Sequence, residues 1–185
     1  GVTRNAWLQA VNSVGQLRFP VEGLAVSSTP ASSELRLGSA VSYDRTSDSF
    51  VVAYVRSDTT QTNFGISAQR VVGSSLQWGG GAGQSISPLT SQLVSFVTVN
   101  DAPGEDVVVS WLQSDIGLSQ RARAVRLNAL AETVWIPSPV GVAIASTPKG
   151  RWSVTNTVGS SMLIASWVDG AFGASDIKAQ NILPS

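Results

Sequence analysis

The segments SFVVAY (49–54), RSD (56–58) and GISAQRVVGSSLQWGGGAGQSI (65–86) follow one another as an apolar run ending in an aromatic residue, an acidic turn, a second strand-like run, another aromatic and a glycine-rich stretch. Runs rich in Val, Ile and aromatic residues, bounded by clusters of Gly, Asp and Ser, predict short β-strands joined by tight turns. A succession of this kind, if it recurs, decides the whole architecture, because a repeated unit that cannot bury its own apolar face must stack on its neighbours.

It does recur. The strand containing Ala68-Gln69-Arg70-Val71 has counterparts in Leu8-Gln9-Ala10-Val11, Ala124-Val125-Arg126-Leu127 and Ala179-Gln180-Asn181-Ile182, at steps of 60, 56 and 55 residues. An aromatic residue follows the first three, at Phe19, Trp78 and Trp135. Next comes a Gly-x-x-aliphatic unit, at Gly23 to Val26, Gly83 to Ile86 and Gly141 to Ile144, closed by Ser and Pro. The apolar run ending in Tyr54 returns as Val107 to Trp111 and Met162 to Trp167. A fourth strand is predicted before each such run, at 39–43, 93–99 and 151–155, with turn residues between the two at 44–48, 100–104 and 156–160. The unit is roughly 57 residues long and carries about four strands.

Residues 119–135 (SQRARAVRLNALAETVW) carry strong helix formers and, read alone, predict an amphipathic helix with Ser119 as its N-cap. The register overrules this, because the same positions hold SAQRVV and KAQNIL in other copies, and a strand is predicted over 120–128.

Composition narrows the function. Charged residues make up only 13% of the 185, so Ser, Thr, Asn, Gln and Gly must cover much of the surface, a common pattern in secreted β-proteins. Twelve basic and twelve acidic residues cancel, which removes the electrostatic footprint that nucleic acid requires. No apolar run approaches the roughly eighteen residues that span a bilayer as a helix, and a soluble, mature chain without a membrane partner is expected. With neither Cys nor His, the sequence offers no disulfide, thiolate nucleophile, imidazole base or ordinary zinc site.

Across nearly its whole length the chain resembles the degenerate β-propeller repeats of secreted or surface-attached bacterial proteins. The shared pattern is an apolar strand ending in Trp, an acidic loop, a strand like IxAQRV, a Gly turn, then Trp-Gly and a Gly-x-x-aliphatic strand. The middle copy departs from it at Val125 and Ile136. The resemblance implies an all-β fold of about three four-stranded antiparallel blades, with secretion or cell-surface attachment; a β-sandwich is the alternative. Taking the small-residue Gly-x-x-aliphatic strand as the one nearest a propeller axis, the expected blades run 22–72, 82–128 and 139–183, after an orphan strand near 5–12. Three blades do not close a ring of the usual 4 to 8, so a longer chain or a homodimer completing the ring is expected.

Trp7 and Trp152 lie outside the repeat registers and are candidate ligand-stacking residues. Asp58, Asp115 and Asp169 recur after the aromatic strand and are candidate loop ligands. Their spacing lacks the alternating oxygens of an EF-hand, so turn-capping is the expected role and no metal or cofactor is assigned. Arg121, Arg123 and Arg126 read as a solvated outer strand, and Trp78 to Gly83 (WGGGAG) precedes a strand, unlike a phosphate-binding loop. Only Lys149 and Lys178 could replace His as the base for a Ser nucleophile, and no carboxylate pair is marked for glycoside hydrolysis. The expectation is a non-catalytic extracellular binding or structural module that recognises a glycan or a surface protein. The alternative is part of a secreted carbohydrate-active enzyme, and a third reading is a structural spacer.

Overall fold

A computed structural model describes residues 4–27, 34–114, 120–144, 148–156, 162–171 and 173–182. Every regular element among them is extended apart from a single 3-10 turn at Gly79–Gly81. A two-stranded sheet pairs β1 (Trp7–Leu8) with β2 (Leu24–Ala25). In the second sheet β3 (Glu34–Asp44), β4 (Ser49–Asp58) and β5 (Phe64–Val72) run antiparallel, and the far edge of β5 takes both the short β6 (Ser75–Leu76) and β7 (Gln84–Thr90). The third sheet repeats this order with β8 (Leu93–Ala102), β9 (Asp106–Ser114), β10 (Gln120–Leu127) and β11 (Val140–Ile144). The fourth has β12 (Lys149–Asn156), β13 (Leu163–Asp169) and β14 (Asp176–Ile182). Residues 120–127 are therefore a strand, as the register required.

Strand periodicity explains how the sheets stack. Alternate side chains of β4 point to opposite faces, and both faces are buried. Phe50, Val52 and Tyr54 pack with Leu8, Phe19 and Val26 of the first sheet, while Val51, Ala53 and Val55 pack with Val107, Val109 and Trp111 of the third. In the next layer Val108 and Leu112 meet Leu163, Ala165 and Trp167 of the fourth sheet. Tyr54, Trp111 and Trp167 thus occupy equivalent sites, each directed at the preceding sheet. Phe19, Trp78 and Trp135 each face the following one, so every layer holds one aromatic from each set. Burying such a side chain is worth about 2–3 kcal/mol, which is why both positions persist while their surroundings drift.

A buried glutamine ties two strands of the unit together. The Gln69 side chain donates from Nε2 to the Trp78 carbonyl at 3.1 Å and accepts the Trp78 N–H at 2.8 Å. Gln9 does the same for Phe19, at 3.3 and 3.1 Å. Val125 replaces the glutamine in the third sheet and joins the apolar layer instead.

The expected blade boundaries require correction by one strand. The Gly-x-x-aliphatic segment does not open a sheet; β2, β7 and β11 close the sheets that β1, β5 and β10 belong to, so the sheets span 34–90, 93–144 and 149–182, and the expected orphan strand is paired. The small residues in that segment answer a close approach within one sheet. A Cβ at Gly65 would lie 2.6 Å from the Ser87 carbonyl oxygen, and one at Gly83 would lie 2.7 Å from the Tyr54 hydroxyl.

The first strand of each larger sheet carries a bulge at the same place, between Arg36 and Ser39, Ser95 and Thr98, and Gly150 and Ser153. Phe96 (φ 51°) and Arg151 (φ 50°) take the left-handed conformation there, and the strand is re-aimed as a result.

Candidate functional site

A concavity opens where the first sheet meets the β3–β4 hairpin. Its first wall is the loop after β1, which Asn12 holds closed: the Asn12 carboxamide oxygen accepts from the Val14 and Gln16 amides at 3.0 and 2.9 Å, and a bridge pairs Val11 with Leu17. The second wall is the hairpin turn, where Asp44 accepts from the Thr46 amide at 2.8 Å and from the Ser47 hydroxyl at 2.5 Å. Such side-chain-to-backbone caps are how Asn and Asp fix turns. Together the walls enclose a cleft of about 610 Å³.

Arg18 and Asp48 join the two walls. The guanidinium makes a two-pronged contact with the carboxylate at 2.6 and 2.8 Å, and it lies 5.1 Å from the Phe50 ring centroid. The Tyr43 hydroxyl donates to the same carboxylate at 2.7 Å, and its ring packs on Phe50 with centroids 4.7 Å apart and planes inclined at 32°. One face of Tyr43 is thus supported and the residue remains 41% exposed. Val11 and Val41 extend the apolar surface and Arg45 stands at the rim, while the Gln9 carboxamide is engaged by the Phe19 backbone and the Ser42 hydroxyl donates to Asp101 at 2.5 Å.

The electrostatics follow from these contacts. The Arg18 guanidinium, and then the Tyr43 hydroxyl, hold the Asp48 carboxyl down to about 2. Asp48 in turn raises both Arg18 and Tyr43. The Asp48 carboxylate behind the cleft wall is thus ionised and engaged at neutral pH.

The residues singled out in the sequence are dispersed. Trp7 is 53% exposed, as expected of a stacking residue, but its β1 neighbour Leu8 lines the cleft, so Trp7 faces the other side of the strand. Trp152 is not exposed, which overturns its candidacy. It is 4% accessible, its Nε1 donates to the Ser110 hydroxyl at 2.9 Å, and its ring lies 5.7 Å from that of Trp167. The bulge in β12 adds a residue to the count and turns Trp152 inward.

Asp58 caps its own turn, accepting from the Thr62 amide and hydroxyl at 2.8 Å each and from the Asn63 side chain at 2.6 Å, which keep its carboxyl well below the usual range. Asp169 binds the fully buried ammonium of Lys149 at 2.7 Å and that of Lys178 at 3.2 Å. Neither lysine is therefore a free base. Asp115 lies outside the described residues. Among the described residues no three acidic side chains gather as a metal would require. Arg126 pairs with Asp106 at 2.8 Å, and the WGGGAG segment forms the 3-10 turn, with Trp78 Nε1 donating to the Ala129 carbonyl at 2.9 Å.

Sequence reasoning missed Arg18, Tyr43 and Asp48. Tyr43 ends the strand before a predicted turn and Asp48 closes that turn, which brings the two side chains together; nothing in the sequence places Arg18, 30 residues away from Asp48, beside them.

Over its full length the chain is similar in fold to the crystal structure of an endo-arabinase from Bacteroides thetaiotaomicron VPI-5482, with a TM-score of 0.56 and 13% identity, the match covering 100% of this chain and 68% of that one. No protein-family model matches the sequence, and no curated protein matches it.

Proposed function

We propose that this chain is a non-catalytic saccharide-binding module of an extracellular protein, built as a stretch of propeller-like blades, and that the cleft between the first sheet and the β3–β4 hairpin holds the sugar. The propeller arrangement is favoured over a sandwich because successive apolar layers cover both faces of β4 and of β9, whereas two packed sheets share one layer.

The observation that carries the binding reading is the Tyr43 ring, backed by Phe50 and fixed by Asp48, with Arg45 at the rim of the cleft. Sugars present apolar C–H faces ringed by hydroxyls, so a supported aromatic face with a guanidinium donor at its rim suits their chemistry. Lone glycans bind such open clefts weakly, in keeping with a module used in several copies or beside other sites. The same cleft speaks against glycoside hydrolysis: that reaction needs one carboxylic acid and one carboxylate across the bond, and Asp48 is locked as an ion pair.

The structural likeness to an endo-arabinase makes arabino-oligosaccharides the first probes, followed by a wider glycan panel. Titration calorimetry is expected to show binding that Tyr43→Ala weakens about tenfold, from loss of roughly 1–1.5 kcal/mol of stacking. Absence of binding across the panel, or an undiminished affinity in the variant, refutes the proposal. Release of reducing ends from arabinan by the purified chain would favour the enzymatic alternative.

A further inference from the structure

We infer that the cleft beside Tyr43 selects acidic saccharides, the carboxylate of a uronic acid meeting the Arg45 guanidinium while the sugar ring lies on the Tyr43 face. This rests on the cleft being a saccharide site and names the class of sugar it takes. The placement of charge in the two walls carries the step. Among the described residues that line the cleft two are arginines and none is acidic. Arg18 is already matched, because Asp48 grips it from behind at 2.6 and 2.8 Å. Arg45 stands exposed in the hairpin turn and makes no ion pair or side-chain hydrogen bond with any described residue. The adjacent Asp44 is committed elsewhere. One of its oxygens takes the Thr46 amide at 2.8 Å and the other the Ser47 hydroxyl at 2.5 Å, and the cation that helps to keep it ionised is Arg70.

The hydrogen-bonding groups of the opposite wall point the same way. The Gln9 carboxamide oxygen accepts the Ala10 and Phe19 N–H groups at 3.0 and 3.1 Å, and its nitrogen donates to the Pro20 carbonyl at 2.7 Å. The Asn12 oxygen accepts the Val14 and Gln16 amides at 3.0 and 2.9 Å, and its nitrogen donates to the Gln16 side chain at 3.0 Å. Both carboxamides are therefore spent on holding the loop. What the walls leave for a ligand is the Arg45 guanidinium and, across the cleft, the exposed hydroxyl of Ser13. A sugar hydroxyl brings a proton that needs an acceptor, whereas a carboxylate brings only lone pairs, and its two oxygens fit the planar fork of a guanidinium. Tyr43 and Arg45 are two residues apart, at most about 7 Å along the chain, so one sugar residue reaches both.

Titration calorimetry with oligogalacturonate and with its methyl ester tests the inference, because esterification removes the charge and keeps the ring. The intact chain is expected to bind the acid about fivefold more tightly than the ester, as befits one exposed charge-assisted pair. Arg45→Gln, at a turn position whose side chain holds nothing in the fold, is expected to bring acid and ester to within about twofold of each other, and Arg45→Lys to retain part of the preference. Tyr43→Ala is expected to weaken acid and ester by the same factor and so to leave their ratio unchanged. Equal affinities for acid and ester, or a preference that survives in Arg45→Gln, overturns the inference, while binding of neutral arabino-oligosaccharides would still uphold the cleft as a sugar site. Absence of binding by acid, ester and neutral sugars alike overturns both.

Discussion

Replacing Gln69 by valine tests whether the glutamine clamp stabilises the unit or merely decorates it. The side chain is fully buried and satisfies the N–H and the C=O of Trp78 at 2.8 and 3.1 Å. Valine is accommodated at this place in the fold, since Val125 occupies the equivalent position of the third sheet and is buried in the layer that sheet forms with the second. The substitution therefore removes two hydrogen bonds without overpacking, and it leaves two backbone groups desolvated. Each hydrogen bond is worth about 1 kcal/mol net, and each orphaned buried group costs about 1–3 kcal/mol, offset in part by the apolar surface that valine buries. The expected destabilisation is about 2–4 kcal/mol, or a fall in Tm of about 5–15 °C for a domain of this size.

Gln9 provides the internal control, because it makes the same contacts to Phe19 from an exposed position. Water replaces the lost bonds in Gln9→Val, so its cost is expected to stay under about 1 kcal/mol. Urea unfolding followed by tryptophan fluorescence measures both. A Gln69→Val variant within about 0.5 kcal/mol of the parent, or equal costs at the two positions, would refute the reasoning that burial sets the value of the clamp.

The Lys149–Asp169 pair predicts an ordering of variants: Asp169→Asn strands a fully buried ammonium and is expected to cost about 3–5 kcal/mol, while Lys149→Met leaves Asp169 with Lys178 and is expected to cost less, both read by chemical unfolding. Acid sensitivity follows from Asp48: its carboxyl is depressed to about 2 in the folded chain, so its stabilising contribution is complete above the unfolded value near 4 and is lost as pH falls from there through 2. Arg18→Gln is expected to raise the Asp48 titration midpoint in NMR, and an unmoved midpoint would show that the ion pair does not form in solution. Hydrogen exchange is expected to be faster in β14 than in β5, because the first is exposed over nearly all its length and the second is covered on both faces.

Much of this architecture is legible before any coordinates, and the part that is not has specific causes. Tyr54, Trp111 and Trp167, and the second set Phe19, Trp78 and Trp135, declare themselves because stacking imposes the same burial on each copy. The phase of the repeat is hidden, because a short strand of small residues fits the start of one sheet as well as the end of another. What decides it is contact between Gly65 and the Ser87 carbonyl, a distance no periodicity contains. Trp152 is misread because a bulge shifts the inward count by one residue without leaving a sequence signal. The cleft is invisible because Arg18 and Asp48 become neighbours only when the first sheet packs on the second.

The copies diverge most at strand ends. Two residues beyond the repeating aromatic stand Arg56, Gln113 and Asp169, and their cross-strand partners are Arg36, Val94 and Lys149. One structural position thus carries a cation, a neutral amide and an anion. Each sheet compensates locally, with Glu34 set 2.9 Å from Arg36 and 3.6 Å from Arg56 in one case and the Lys149 ion pair in another. Layers are conserved between copies because a misfit there is felt by two sheets, whereas strand ends answer only to their own surroundings. The cleft residues belong to the second kind. In the next copy the places of Arg18, Tyr43 and Asp48 are taken by Gln77, Asp101 and Glu105, and Glu105 binds Arg70 instead, at 2.8 Å. The same backbone therefore builds an aromatic-lined cleft at one junction and an ordinary ion pair at the next. The junction between the first and second sheets thus differs from the next one in the residues that line it, while the layers on either side keep the same two aromatic positions.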